Sequence, residues 1–350
     1  MTDLDKHVTE AMHRIEELYY ETDGKCYVSF SGGKDSTVLL ALIKLCEDIY
    51  TIPKDAIPAV FANTGIEMGV TIDFVKWVKE NYYSSLITIR PSVSFDWVLK
   101  THGKPIKSKL KSQYLAKWQK GKRTRTVVQN LVEGKTNAGK TAYQIKLYDK
   151  DAHMLHDDFP IMPSEKCCAY LKKKPFADYA KRNGIKGQMT GMRLGEGGAR
   201  EMNANVRKLS GFKICTSVDK KGFIKKAPII DWDDEDVDDF IARYKVPLSR
   251  AYTEYGFHRT GCMACPFARD VGKNLQYLHT NEPNRYKAAM HWLKDVYIAQ
   301  NVILPFDAEY EAERAKTWRE VYEPMRQEML RKYRPNSRLI KDGEQLTLFD

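Results

Sequence analysis
Six consecutive residues, Ser31-Gly32-Gly33-Lys34-Asp35-Ser36, bring together two glycines, two hydroxyls, a cation and a carboxylate. Glycines let backbone N–H groups approach an anion closely, Lys34 adds a point charge, Ser31 and Ser36 donate hydrogen bonds, and Asp35 can hold Mg2+. The set suits a phosphate. It is not a Walker loop, which spaces its first glycine farther from Gly-Lys, and the later Ala138-Gly139-Lys140-Thr141 lacks that glycine and a preceding strand. A second set is Cys167-Cys168 followed, far along the chain, by Cys262-Met263-Ala264-Cys265. Thiolates in such a set suit a [4Fe–4S] cluster or zinc. Seven cysteines are an odd number in a chain with no export signal, which points to reduced thiols or metal ligands rather than disulfides. Cys26, Cys46 and Cys215 lie in apolar surroundings and read as small core residues.

The formal net charge is +11 and the isoelectric point about 9.1, a balance that favours polyanionic partners. Between Lys100 and Arg125 there are ten Lys or Arg and no acid, whereas Asp231 to Asp239 carries seven acids and no base. The basic run reads as a solvated loop or as an arm facing nucleic acid. Lys172, Lys173 and Lys174, one turn past the vicinal cysteines, read mostly as solvated, with room for one to face a cluster or substrate.

Positioning these groups requires a scaffold, and the apolar pattern supplies one. Lys25 to Phe30 reads as a buried strand before the Gly-rich turn, and Thr37 to Tyr50 as a packed helix. Strands at Ala56 to Ala62 and Leu86 to Arg90, with a helix at about 70–82 between them, continue a βαβ alternation. The fold class is therefore α/β: a parallel twisted sheet with helices on both faces, plus a C-terminal helical region. Residues 103–153 break the periodicity and read as a basic insertion. A helix at about 166–182, a strand at 188–191, a hairpin at Lys220-Lys221-Gly222 and a helix from Asp233 resume it. Two long helices, about 284–300 and 308–332, follow. The organisation is a nucleotide-type α/β domain over 1–232, a helical region completing the cysteine set over 233–334, and a tail over 335–350. No stretch reaches the roughly 20 apolar residues of a bilayer span, so the expectation is a cytoplasmic protein without membrane partners.

The residues resemble a known family. Ser31 to Ser36 is similar to the PP-loop of the ATP pyrophosphatase and PAPS reductase superfamily, which grips the phosphates of ATP or of a sulfonucleotide. Asn63-Thr64-Gly65, followed by Glu67, resembles that family's D-T-G turn, with Asn63 replacing the usual acid. Thr190-Gly191-Met192-Arg193, then Glu196 and Arg200, resembles its T-G-x-R loop, where two arginines address phosphate or sulfate. The resemblance covers about residues 20–270 and implies an adenine nucleotide alpha-hydrolase-like fold. It also implies ATP or a related nucleotide with Mg2+, bound by Ser31 to Ser36, Thr64, Gly65, Gly191 and Arg193, with Lys34, Asp35, Arg193 and Arg200 acting in catalysis. The cysteine pattern looks like the cluster motif of adenylyl-sulfate reductases, which implies a [4Fe–4S] cluster on Cys167, Cys168, Cys262 and Cys265, with zinc as the alternative.

One feature departs from those reductases: they take up sulfur on a cysteine in a C-terminal motif, and no Cys follows Cys265. What remains resembles the sulfur-activating enzymes of DNA phosphorothioation and cluster-dependent tRNA thiolation. The expected function is thus nucleotide-dependent sulfur transfer, with nucleic acid held by Lys100 to Arg125 and sulfur from a donor protein. Sulfonucleotide reduction releasing sulfite and a non-catalytic nucleotide- or DNA-binding role are the alternatives. Gln345-Leu346-Thr347-Leu348-Phe349 is similar to the short peptide by which bacterial repair proteins bind the sliding clamp.

Overall fold
The computed structural model describes residues 3–135, 145–194 and 215–333. Arg200, Glu196, the Lys140 segment and the tail with Gln345 to Phe349 lie outside the described residues. The chain divides into two compact units, Met1–Ser92 with Leu171–Cys262, and Val93–Tyr170 with Met263–Asp350. No helix among the described residues is long and apolar enough to cross a membrane.

The first unit holds a six-stranded sheet: β1 (Cys26–Phe30), β2 (Ala59–Ala62), β3 (Leu86–Ile89), β4 (Gly187–Met189), β5 (Thr216–Val218) and β6 (Ile224–Lys226). The order is β3-β2-β1-β4-β6-β5, with every pairing parallel except β5 with β6. Among the helices that accompany it are α1 (Asp3–Glu21), α2 (Lys34–Asp48), α3 (Gly69–Asn81), α4 (Lys174–Arg182) and α5 (Asp234–Tyr244). Successive strand side chains point to opposite faces, so a sheet buried on both sides needs apolar residues at every position. Val28, Phe30, Ala59 and Phe61 accordingly join one cluster with Leu18, Leu39, Phe74 and Phe240 of α1, α2, α3 and α5. Tyr27, Val60, Ala62 and Ile89 join the other with Tyr179 and Ala180 of α4. The expected α/β class, with helices on both faces, is what the chain forms.

Local differences have local causes. β2 starts at Ala59 rather than Ala56 because Pro58 has no N–H for the ladder, though its carbonyl still accepts from Val28 N–H at 3.0 Å. α5 starts where its acids place it: Asp233 Oδ1 accepts from Asp236 N–H at 2.9 Å and Asp236 Oδ2 from Asp233 N–H at 3.1 Å, a reciprocal cap. Cys26 and Cys46 are fully buried, and burial pushes their thiols up to about 11 and about 12, which fits inert core residues. Cys215 is only half-buried, before β5, and is not a core residue.

In the second unit, part of the stretch without clear periodicity forms a helix. Ser108 Oγ accepts from Lys111 N–H at 3.2 Å and starts a helix over Lys109–Gln119. Its apolar stripe is short: Leu115 and Trp118 are fully buried, and Trp118 Nε1 donates to Leu155 O at 2.7 Å. The basic run is therefore partly a helix packed on a core rather than a loop. The helices Pro283–Ala299 and Ala308–Thr317 follow, the latter continuing through a wide turn at Trp318–Tyr322 into Glu323–Tyr333.

His153 packs among Phe159, Trp318 and Tyr322 in this core. Its Nε2 donates to Ala299 O at 2.9 Å, while Nδ1 is buried without a partner. Protonating Nδ1 would bury an N–H with no acceptor, and burial pushes the imidazole from its ordinary 6.5 down to about 4 despite the nearby Asp151 charge. The unfolded chain then binds the extra proton first, so stability is lost as pH falls through this window. Denaturation midpoints should drop between pH 7 and pH 5 by roughly 2 kcal/mol of stability, and His153→Phe should flatten the drop. An equal drop in both proteins would place the pH sensitivity elsewhere.

Candidate functional site
In the first unit the strand order reverses about β1, which pairs β2 on one side and β4 on the other. Such a reversal opens a crevice outside the carboxyl ends of the strands. The three segments singled out in the sequence leave those ends: Ser31 to Lys34 between β1 and α2, Asn63 to Gly65 after β2, and Thr190 to Arg193 after β4.

The first turn is shaped by its own hydroxyls. Gly32 has φ 72°, a conformation L side chains avoid, and a Cβ there would also meet Thr71 Cγ2 at 3.1 Å. Ser36 Oγ donates to Gly33 O at 2.8 Å and lies 3.1 Å from Ser31 Oγ, while Ser31 Oγ accepts from Gly33 N–H at 3.3 Å. The first amides of α2 face the same end, where the helix dipole favours an anion.

Charge pairing ties the third segment to this turn. Arg193 is 6% exposed. Its Nε donates to Asp35 Oδ1 at 2.9 Å and its Nη2 to Asp234 Oδ1 at 2.7 Å. Burial opposes the charge on Arg193, but the hydrogen bond to Asp234 and the Asp35 charge outweigh it and raise its basicity. The hydrogen bond from Arg193, and then its charge, hold Asp234 below the usual carboxylate range. The backbones are as close as they can be: a Cβ on Gly191 would lie 2.8 Å from Asp35 C and O. Only glycine fits there.

Lys34 is occupied too. Its Nζ donates to Asp238 Oδ1 at 2.8 Å, and its backbone N–H to Tyr252 Oη at 3.1 Å. That hydroxyl also accepts from Thr260 N–H at 3.3 Å. In the second segment, Thr64 is buried and gives both its N–H and its hydroxyl to Glu67, at 2.9 and 2.6 Å. Glu67 forms an isolated antiparallel bridge with Cys262. Thr64 thus bonds to its own turn, as an N-terminal brace for α3.

The structure thus brings Lys34, Asp35, Arg193 and Gly191 together. Asp234, Asp238, Tyr252 and Thr260 were not foreseen as site residues. The acids carried a signal, since Asp234 and Asp238 are four apart and so share one helix face. Tyr252 and Thr260 carried none.

The cysteines divide between the units. Cys262 closes the first, while Cys167, Cys168 and Cys265 lie in the second. Cys167 and Cys168 end the short helix Lys166–Cys168, and Ala264, with φ 46°, turns the chain between the later pair. Tyr297 Oη anchors that turn by donating to Ala264 O at 2.6 Å. Thiolates are the right donor chemistry for either iron or zinc. Among the described residues, however, no three His, Cys, Asp or Glu side chains form a group that could hold a metal ion. A preassembled cage therefore fits neither a cluster nor Mg2+. For Mg2+ none is required, because that ion is ordinarily held by one or two carboxylates together with substrate phosphates.

Comparison with known proteins sets this geometry in context. An uncharacterized protein of Methanocaldococcus jannaschii is 25% identical over 283 residues, which is 80% of this chain, and the chain spans 50% of that relative's length. Among solved structures, the phosphoadenylyl-sulfate reductase of Candida auris in a phosphate complex has a TM-score of 0.42 and 15% identity. It covers 75% of this chain and 96% of its own. The FMN adenylyltransferase of Candida glabrata, with FAD and pyrophosphate, has a TM-score of 0.40 and 13% identity over 74% of this chain and 63% of its own. The family model for the phosphoadenosine phosphosulfate reductase domain matches residues 25–138 and 122–268, a span holding all three crevice segments and the cysteine set. The chain belongs to the phosphoadenosine phosphosulfate reductase domain family.

Proposed function
We propose that the first unit binds ATP or a related adenine nucleotide and uses it to activate an acceptor for sulfur transfer. The observation that carries this reading is the convergence of the Ser31 to Ser36 turn, the α2 amides and the buried Arg193 at the carboxyl edge of the sheet. An oxygen of the acceptor attacks the α-phosphorus, the bond to the bridging oxygen breaks, and pyrophosphate leaves with the electron pair. Lys34 and Arg193 offset the charge that grows on that leaving group. Mg2+, when it enters with the nucleotide, neutralises phosphate oxygens. A sulfur nucleophile from a donor protein then displaces AMP. Reduction of a sulfonucleotide is the second reading, favoured by the family itself, and it releases sulfite instead. Labelled ATP with candidate acceptors therefore separates the two by product.

Gly191→Ala should push the Asp35 backbone away, lowering the thermal midpoint and weakening nucleotide binding about 10-fold or more, whereas Lys34→Ala should weaken binding comparably with the midpoint little moved. Unchanged binding in both variants would remove the turn from the site.

We further propose that the acceptor is a nucleic acid and that the second unit holds it. Lys100, Lys104, Lys107 and Arg123 are paired with Asp96, Asp295, Asp151 and Asp157, so they serve the fold. Lys109, Lys111, Lys117, Lys120, Lys122 and Arg125 have no acidic partner among the described residues. Lys111 lies over the Tyr148 ring at 5.0 Å and Lys117 over Tyr114 at 4.6 Å, so aromatic faces accompany the free charges. Neutralising Lys109, Lys117 and Lys122 together should weaken binding and make the log–log salt slope shallower by about 2 to 3. Neutralising Lys104 and Lys107 should not. Equal effects of the two sets would overturn the assignment.

Cys167, Cys168, Cys262 and Cys265 are proposed as ligands of an iron–sulfur cluster, on the strength of their spacing and their thiol chemistry. Anaerobic protein should be brown, with about four iron and four sulfide per chain. Cys262→Ser should lose the metal and Cys26→Ser should keep it. Colourless protein with a single zinc would reject the cluster.

A further inference from the structure
The ammonium and the backbone N–H of Lys34 each donate to an oxygen atom of the same unit. Nζ is held by the Asp238 carboxylate at 2.8 Å and the backbone N–H by the Tyr252 hydroxyl at 3.1 Å. These are the donors a phosphate would use, and at Nζ the group that holds the place is an anionic oxygen. Asp238 reaches Lys34 because α5 is set by its reciprocal cap, and Asp234, one turn earlier on the same face, is held by Arg193 at 2.7 Å. The helix is thus docked through Asp234, which leaves Asp238 poised over the turn. Nothing in the packing of Asp238 requires this contact, since its side chain is 66% exposed while Lys34 is 22% exposed.

We propose that Asp238 is a built-in phosphate surrogate: a polyphosphate enters by displacing its carboxylate from Lys34, so Asp238 sets how strongly the site selects phosphate-bearing ligands. The inference rests on the nucleotide reading of this turn. A carboxylate competes with every ligand that needs Lys34 and with none that does not, so its effect follows the phosphates and not the adenosine. Arg193 is different in kind, because its two partners satisfy a buried charge and would have to be replaced rather than released.

The test is calorimetric titration of the full chain with ATP, inorganic pyrophosphate and adenosine, for the wild type, Asp238→Asn and Asp238→Glu. Asp238→Asn should tighten ATP and pyrophosphate by about two- to five-fold, the range for losing one exposed ion pair, and leave adenosine unchanged. Asp238→Glu keeps the charge and should restore wild-type affinities. Affinity for ATP and pyrophosphate that is unchanged or weaker in a folded Asp238→Asn protein overturns the inference while the nucleotide reading stands. If neither the wild type nor the variants bind ATP or pyrophosphate, the nucleotide reading falls and takes this inference with it.

Discussion
A guanidinium withdrawn from water costs several kcal/mol unless its hydrogen bonds are met, and Arg193 meets them with two carboxylates from distant parts of the chain. Asp35 comes from the start of α2, just past the turn after β1, and Asp234 from the start of α5. One buried cation therefore fastens the turn, the segment after β4 and a helix that follows β6. Much of the local arrangement depends on that triple contact. Gly191 must be bare because the pairing draws the two backbones together, and α5 is held where its next turn brings Asp238 to Lys34.

The same logic sorts the lysines of the second unit. A basic run looks uniform in sequence, but a charge near buried surface needs a partner and a charge in solvent does not. Lys107 is paired with Asp151, whose side chain is 6% exposed, and so belongs to the packing around His153 and Trp118. Lys109, Lys120 and Lys122 are exposed and face solvent. Net charge alone cannot make that distinction; the placement of the helix Lys109–Gln119 makes it.

Cysteine burial separates the thiols in a comparable way. Cys26 and Cys46 are sealed in the core of the first unit, where the thiolate form is disfavoured. Cys168, Cys262 and Cys265 are half-buried, at a helix end or in irregular segments. Three of the four cysteines in the spaced set are thus partly accessible, as is Cys215, whereas Cys167 is buried.

Much of the first unit was legible because its information is local. Strands buried on both faces must be largely apolar, so β1 and β2 stand out, and a Gly-rich turn between strand and helix has few structural meanings. Helix caps are equally local, and Asp233 announces α5. The helix Lys109–Gln119 was missed because only Leu115 and Trp118 form its apolar stripe, too few to reveal a helical period among lysines. The partners of Lys34 and Arg193 could not be read at all. Asp238 and Tyr252 lie more than two hundred residues beyond Lys34 in the chain, and a contact across such a span is set by how the sheet and its helices pack, not by spacing. By itself the sequence determined the class of scaffold and singled out the residues whose types suit phosphate and metal chemistry. Only the tertiary structure decided which charges are paired, because pairing depends on burial and on distance through space.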